Sequence, residues 1–243
     1  MRTILVLFML LIFFIVTFPA FLVLKLIGRF NPKACAYVSQ KFIKVGFRMV
    51  LWAAGAKVTV KGVENIPKDR ACLFTSNHRS YVDVPLGYIS VPGITGFVAK
   101  KEIKKVPFLS WWMTNLNCLF IDRENLRQSL QIILEAIEKV NNGVSVFIMP
   151  EGTRNQMDEL LPFKEGSFKI AEKSGCPVVP VAISNTDAVY EKHRPWVHKA
   201  KVVIHYGQPI YTENMTKEDK KALVPKVMDE IRRMLKEDKE LTK

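Results

Sequence analysis

The chain has 243 residues, 49% of them hydrophobic, with 36 Lys and Arg against 23 Asp and Glu and a formal net charge of +13. This length holds one ordinary domain with at most a small attachment, and so much apolar surface excludes an intrinsically disordered chain. Four cysteines (Cys35, Cys72, Cys118 and Cys176) stand far apart with no C-x-x-C pair, which argues against a zinc ribbon or a dense disulfide framework and points to a reducing compartment.

The positive charge is unevenly placed. Residues 1–60 carry eight basic residues and no acid, and the first carboxylate is Glu64. The rest of the chain carries 28 basic and 23 acidic residues, a much weaker excess. A basic segment that is also the most apolar part of the chain suits an anionic membrane surface, with phospholipids as partners, rather than nucleic acid. No nucleic-acid-binding motif accompanies it.

Residues 3–24 form an uncharged run of 22 residues rich in Leu, Ile, Phe and Val. As a helix it extends about 33 Å, close to the ~30 Å hydrocarbon core of a bilayer. Its length and the lack of an A-x-A-like site argue against a cleaved signal peptide. A buried core helix would have to be apolar on all sides within a small domain, so a membrane-embedded helix fits best. Pro19 leaves both a spanning helix and one dipping into a single leaflet open. Over residues 32–54, Lys41, Lys44 and Arg48 fall within about 60° of a helical wheel, and apolar residues fill most of the remainder. That pattern predicts a second helix bedded at headgroup level, its cations facing lipid phosphates; the alternative is a core helix with one solvated edge. Residues 1–56 are therefore expected to be a membrane-anchoring helix pair and residues 57–243 the folded domain.

Beyond residue 56, short apolar runs alternate with helical stretches. Strands are expected at 57–60, 72–75, 96–99, 118–121, 144–148, 178–183 and 201–205, several of them continuous apolar runs of the kind covered on both faces. The clearest helix is 124–142, with Leu126, Leu130, Ile133, Leu134, Ile137 and Val140 on one face and Gly143 as its stop. A charged helix over 216–239 is expected to be interrupted at Pro225. The alternation predicts an α/β fold.

Among four histidines, His78 stands out in Ser76-Asn77-His78-Arg79-Ser80-Tyr81-Val82-Asp83, directly after a strand, where a loop exposes polar groups. In a continuous helix Asp83 would point about 140° away from His78, so the two meet only across a turn, for which Ser80 and Asp83 offer a capping box. A histidine with a reachable carboxylate is the pair a general base needs. The spacing equally allows Asp83 to be a helix cap alone. After the strand at 144–148 comes Pro150-Glu151-Gly152-Thr153-Arg154, a polar turn able to offer a guanidinium to an anion. Ile121-Asp122-Arg123 and Lys100-Lys101 follow two further strands. Each alone is an ordinary surface turn; together they place a base and several cations at strand ends, as a phosphate-bearing substrate requires. No metal-ligand cluster is visible.

These blocks carry a resemblance. Residues 77–83 resemble the H-x-x-x-x-D block of the glycerolipid acyltransferases, Phe120-Ile121-Asp122-Arg123 their second block, Pro150-Glu151-Gly152-Thr153-Arg154 their third and Val179-Pro180-Val181-Ala182-Ile183 their fourth. Pro162-Phe163-Lys164-Glu165-Gly166-Ser167-Phe168 matches the stretch between the last two, so order and separation agree over residues 70–185. Met149 and Asn155 depart mildly from the pattern, where an aromatic residue and a serine are common. The P-E-G-T-R form most resembles the 1-acylglycerol-3-phosphate acyltransferases.

The resemblance implies a single mixed-sheet acyltransferase domain flanked by helices. It also implies acyl transfer from a thioester, acyl-CoA or acyl-acyl carrier protein as co-substrate, to the 2-hydroxyl of lysophosphatidic acid, with no resident cofactor or metal. His78 is expected to be the base and Asp83 its orienting group. Arg154, Arg123 and then Lys100 are expected on the phosphate. Glu151 is expected to position those cations or to bind the glycerol hydroxyl; Gly152 and Thr153 complete the substrate-binding turn, with backbone amides near Gly152 as candidate oxyanion donors. The alternatives are glycerol 3-phosphate or another lysophospholipid as acceptor, or a membrane lipid-binding protein without catalysis. The expected location is the cell membrane, with the catalytic domain on the cytoplasmic face.

Overall fold

Alternation of apolar strands with amphipathic helices builds the molecule from its N-terminal helices onward. The computed structural model describes residues 1–157 and 159–243. In chain order the elements are α1 (Arg2–Phe30), α2 (Pro32–Ala54), β1 (Ala56–Lys61), β2 (Leu73–Ser76), α3 (Asp83–Ser90), β3 (Thr95–Lys100), α4 (Pro107–Asn115), β4 (Leu119–Ile121), α5 (Leu126–Asn141), β5 (Ser145–Ile148), α6 (Lys169–Ser174), β6 (Val178–Ser184), β7 (Ala200–Tyr206) and α7 (Lys217–Glu237). Each expected strand is present, its ends shifted by no more than about one residue. Their apolar runs are long enough to be buried but too short for helices.

The strands form one mixed sheet in the order β1-β7-β6-β2-β5-β3-β4. β6 and β7 pair antiparallel; all other neighbours are parallel. The carboxyl ends of β2, β3, β4, β5 and β6 therefore share one edge. In the centre, Thr75 of β2 lies in register with Ile148 of β5 and Pro180 of β6. The loops leaving those three strands consequently meet, in the crevice where open α/β sheets bind ligands. Two apolar layers hold the sheet. Phe74, Phe97, Phe147 and Tyr206 pack towards α2, α3 and α4, while Leu73, Val146, Val178 and Ala182 pack towards α5, α6 and α7. β6 is buried along its whole length, which explains why its sequence is apolar up to the closing Ser184 rather than alternating.

Helix α7 departs from expectation, running through Pro225 without a break. Pro225 is solvent-exposed, so the carbonyl it leaves unpaired one turn earlier is free to bond water. Thr216 and Asp219 close the start of α7 with a reciprocal capping box.

α1 and α2 form an antiparallel hairpin that shares the core with the sheet. Phe21 and Leu24 of α1 and Ile43 and Ala54 of α2 are buried in the same cluster as Phe74 and Phe147. Phe21 stacks on Trp111 with ring centres 5.7 Å apart, and Phe14 meets Phe108 edge-on at 5.2 Å. The Val197 N–H donates to Thr3 Oγ1 at 2.9 Å, and the Arg2 guanidinium to the Ala53 carbonyl at 3.3 Å, fastening the start of α1 to the domain. The outer side of α1 exposes Ile4, Leu7, Phe8, Leu11, Ile15, Val16, Leu22, Val23 and Leu26, joined on α2 by Val45, Met49 and Trp52. So continuous an exposed apolar surface is more than a water-facing helix ordinarily carries, and α1 is, by length and composition, long and apolar enough to cross a bilayer.

The basic stripe of α2 does not run as expected. Lys44 turns inward and donates to the Val91 carbonyl at 2.5 Å, and burial, with the nearby Arg48 charge, draws its ammonium below the usual lysine value. Gln40 beside it bonds the Gly93 carbonyl and accepts from the Thr95 N–H at 3.0 Å. This polar edge of α2 thus docks the segment after α3, and a helical wheel cannot tell a docked polar edge from a solvated one.

Candidate active site

The strand ends bring the two polar blocks together. Asn77, the first residue after β2, is buried and bonds both backbone groups of Ile183 in β6, donating at 2.9 Å and accepting at 2.8 Å. That clamp fixes where the loop leaves the sheet. His78 follows, its ring partly exposed, with Nδ1 2.7 Å from Asp83 Oδ2. The turn required by the five-residue spacing is present: the same Oδ2 accepts the N–H groups of Arg79 (2.7 Å) and Ser80 (2.8 Å). Asp83 is the first residue of α3, whose N-cap is Val82 with no side-chain cap bond; its carboxylate instead closes the turn before the helix and meets His78. Of the two roles its spacing allowed, the structure shows the partner of His78 and not the helix cap.

Asp83 is fully buried, and its other oxygen accepts the Thr186 hydroxyl at 2.5 Å. Three donors besides the imidazole thus hold this carboxylate, with no Lys or Arg side chain paired to it among the described residues. The contact suits the imidazole tautomer with its proton on Nδ1, pointing at the carboxylate. Nε2 is left without a protein partner among the described residues.

Glu151 sits beneath this loop. Its Oε1 accepts the His78 N–H at 2.7 Å, and its Oε2 accepts from Asn155 Nδ2 and the Leu161 N–H, both at 3.0 Å. Burial raises its carboxyl above the ordinary glutamate range, against the pull of these donors. The structure places Glu151 as a brace for the His78 backbone, paired with none of the expected cations among the described residues. The Asn155 N–H donates to the His78 carbonyl at 2.7 Å, closing the second tie between the blocks.

Arg154 leaves this turn and lays its guanidinium over the Tyr81 ring, 3.7 Å from the ring centre. Its NH1 is 3.5 Å from Glu191 Oε1. Arg123 reaches the turn from the end of β4 and bonds the Gly152 carbonyl; burial draws its guanidinium below the usual value. Gly152 has φ +73°, and a Cβ there would lie 3.0 Å from Lys164 Cε, so glycine suits this turn on both counts. The Gly152 N–H is bonded to the Met149 carbonyl at 3.1 Å, which removes it as a free oxyanion donor in this conformation. Thr153 is exposed on the turn. Lys100 stands apart, more than half exposed and paired with Glu102 at 3.2 Å.

A cleft of about 370 Å³ opens beside Gly152, walled by Val98, Ile121, Ile133, Ile148 and Met149, with Arg123 and Lys164 also lining it. A hollow of about 1130 Å³ near Gln208, Asp229 and Arg233 holds none of the residues above, so size alone does not mark the site. Among the described residues, no three His, Cys, Asp or Glu side chains converge as metal ligands.

Three contributors were not foreseen: Thr186 on Asp83, Asp187 on Arg79 (3.2 Å), and Glu191 on Arg154 and on the Tyr81 N–H (2.9 Å). All follow β6, which is β2's neighbour only in the folded sheet. Their one local signal is the polar run Ser184-Asn185-Thr186-Asp187 directly after an apolar strand.

A family model described as Acyltransferase matches residues 57–184. A 1-acyl-sn-glycerol-3-phosphate acyltransferase of Saccharomyces cerevisiae is 36% identical over 75% of this chain and 61% of its own length. One from Borreliella burgdorferi is 32% identical over 76% of this chain and 74% of its own. The matched stretch spans less than two thirds of the yeast relative and 48% of a chloroplastic one from Brassica napus. The crystal structure of the 1-acyl-sn-glycerophosphate (LPA) acyltransferase PlsC from Thermotoga maritima is similar throughout, with TM-score 0.78 and 31% identity over 98% of this chain and 97% of that one.

Proposed function

The chain belongs to the Acyltransferase family, and from that premise we propose that it transfers a fatty acyl group from a thioester to the 2-hydroxyl of lysophosphatidic acid, forming phosphatidic acid. The observation that carries this is the 2.7 Å contact of His78 Nδ1 with a buried, fully bonded Asp83, beside an arginine held on an aromatic ring.

His78 Nε2 takes the proton of the acceptor hydroxyl as its oxygen attacks the thioester carbon. Asp83 stabilises the imidazolium that forms. Collapse of the tetrahedral intermediate breaks the carbon–sulfur bond, and the imidazolium returns the proton to the leaving thiolate. No enzyme nucleophile and no resident cofactor enter, because a thioester is already activated and a positioned alcohol attacks it directly. Arg154 and Arg123 receive the acceptor's phosphate, and a planar guanidinium fits its oxygens pairwise. Lys100 steers from the rim, and Gly152 and Thr153 shape the turn that carries Arg154. The apolar cleft beside Gly152 takes fatty chain. Acyl-CoA and acyl-acyl carrier protein both meet the donor requirement.

The hairpin sets the height of the site. We place α1 and α2 with their outer faces in the hydrocarbon of one leaflet, at the cytoplasmic face of the cell membrane. Support comes from the attachment of α1 at Thr3 and along Phe14 and Phe21, which keeps the helix against the domain. Deleting residues 1–56 would remove core side chains, so surface substitutions test this better. Phe8→Glu with Leu11→Glu and Leu22→Glu is expected to abolish flotation with liposomes while the domain stays folded; unchanged flotation refutes the placement.

Purified protein in mixed micelles, offered lysophosphatidic acid, glycerol 3-phosphate and lysophosphatidylcholine with either donor, tests the acceptor. Lysophosphatidic acid is expected to give the highest kcat/KM. Preference for either of the others overturns the assignment.

A further inference from the structure

We propose that Glu191 is a positioning residue that holds Arg154 in place for the acceptor's phosphate. This rests on the proposal above that the acceptor is phosphorylated and meets Arg154.

Glu191 lies in the short turn Glu191–His193, beyond the residues the family model matches. Its side chain is only 3% exposed. Oε1 accepts the Tyr81 N–H at 2.9 Å and faces two guanidiniums, Arg154 at 3.5 Å and Arg194 at 3.4 Å. Oε2 is buried without a hydrogen-bond partner among the described residues. Buried carboxylate oxygens are ordinarily satisfied, and one kept unpaired costs folding free energy. Its retention here needs a compensating use, and its neighbours supply one.

One carboxylate lies between two cations that would otherwise repel each other. It anchors the edge of Arg154 while the Tyr81 ring supports its face. Glu191 is the only protein group bonded to Arg154 among the described residues, so the remaining guanidinium N–H groups are available to phosphate. An arginine side chain loses considerable rotamer freedom when it grips a ligand, and prior fixation moves that loss from binding to folding. The Tyr81 N–H bond extends the same hold to the loop that carries His78. The phosphate is remote from the reacting carbon, so loosening Arg154 is expected in acceptor KM rather than in kcat.

The test is a double-mutant cycle read as KM for lysophosphatidic acid. Glu191→Gln keeps the size and removes the charge. It is expected to raise acceptor KM about tenfold, with kcat and donor KM within about twofold, and to change acceptor KM less than about twofold in an Arg154→Ala background. Tyr81 is exposed, so Tyr81→Leu is a second variant with little folding risk. Its expected effect is a rise of about threefold, again only when Arg154 is present. An unchanged KM in Glu191→Gln, or an equal rise with and without Arg154, overturns the proposal. If wild-type protein does not use lysophosphatidic acid at all, the function proposed above has failed; the same cycle on whichever acceptor it does use still decides the role of Glu191.

Discussion

Two buried aspartates in this molecule each hold a histidine, and only one pair suits catalysis. His78 Nδ1 lies 2.7 Å from Asp83, and His205 Nδ1 lies 3.2 Å from Asp238, with both carboxylates fully buried and both rings mostly so. The difference is in the company each carboxylate keeps. Asp238 is also paired with Lys61 at 2.8 Å, so its charge is already compensated, and it joins β1, β7 and the C-terminal turn. Asp83 is held by backbone N–H groups and a hydroxyl, which leaves its charge for the imidazole. His78 also stands just past the carboxyl end of the central strand β2, with Nε2 unpartnered among the described residues, whereas His205 lies within β7. A His–Asp contact alone therefore marks no active site; the surrounding donors and the position on the sheet do.

The largest expected contrast comes from removing the rings. His78→Ala is expected to lower kcat by about a thousandfold with little change in unfolding midpoint, and His205→Ala to leave kcat within about twofold while costing about 1 kcal/mol of stability. Steady-state kinetics with denaturant unfolding in detergent checks both; similar losses of kcat would erase the distinction. The aspartates sharpen it. Asp83→Asn is expected to lower kcat about a hundredfold through the wrong tautomer. Asp238→Asn is expected to leave kcat nearly unchanged and to cost about 2 kcal/mol, because Lys61 loses its partner.

The smallest effect concerns pH. Burial raises the Glu151 carboxyl above its unfolded value, so between those two values the native state binds more protons than the unfolded state. The contribution of this group to stability is then full at low pH and declines as pH rises through the raised value. Glu151→Gln removes that dependence. The stability difference between wild type and Glu151→Gln is accordingly expected to move against wild type as pH rises from the ordinary glutamate value through the raised one; a difference that moves the other way contradicts the assignment.

The parts legible in the sequence were those governed by local pattern. Seven short runs marked seven strands, the plainest being continuous apolar ones such as 178–183, which is buried on both faces. His78, Asp83, Arg123 and Arg154 were visible because they follow those strands directly. Illegible parts depended on who lies opposite. Lys44 looked like a headgroup ligand, and only the packing of α2 on the segment after α3 shows it bonded to Val91. Pro225 looked like a break, and only its exposure explains why α7 continues. Thr186 and Glu191 reach Asp83 and Arg154 across 103 and 37 residues of chain, a meeting set by the order of β6 beside β2 and by nothing local.

The central claim is that this site moves an acyl group to the 2-hydroxyl of a lysophospholipid with His78 as the base. Its most direct measurement follows thiol release and phosphatidic acid formation together, with lysophosphatidic acid and an acyl thioester, for wild type and His78→Ala. Equal amounts of thiol and phosphatidic acid from wild type, and neither above background from His78→Ala, are the predicted result. Thiol released without phosphatidic acid, or undiminished transfer by His78→Ala, would contradict it.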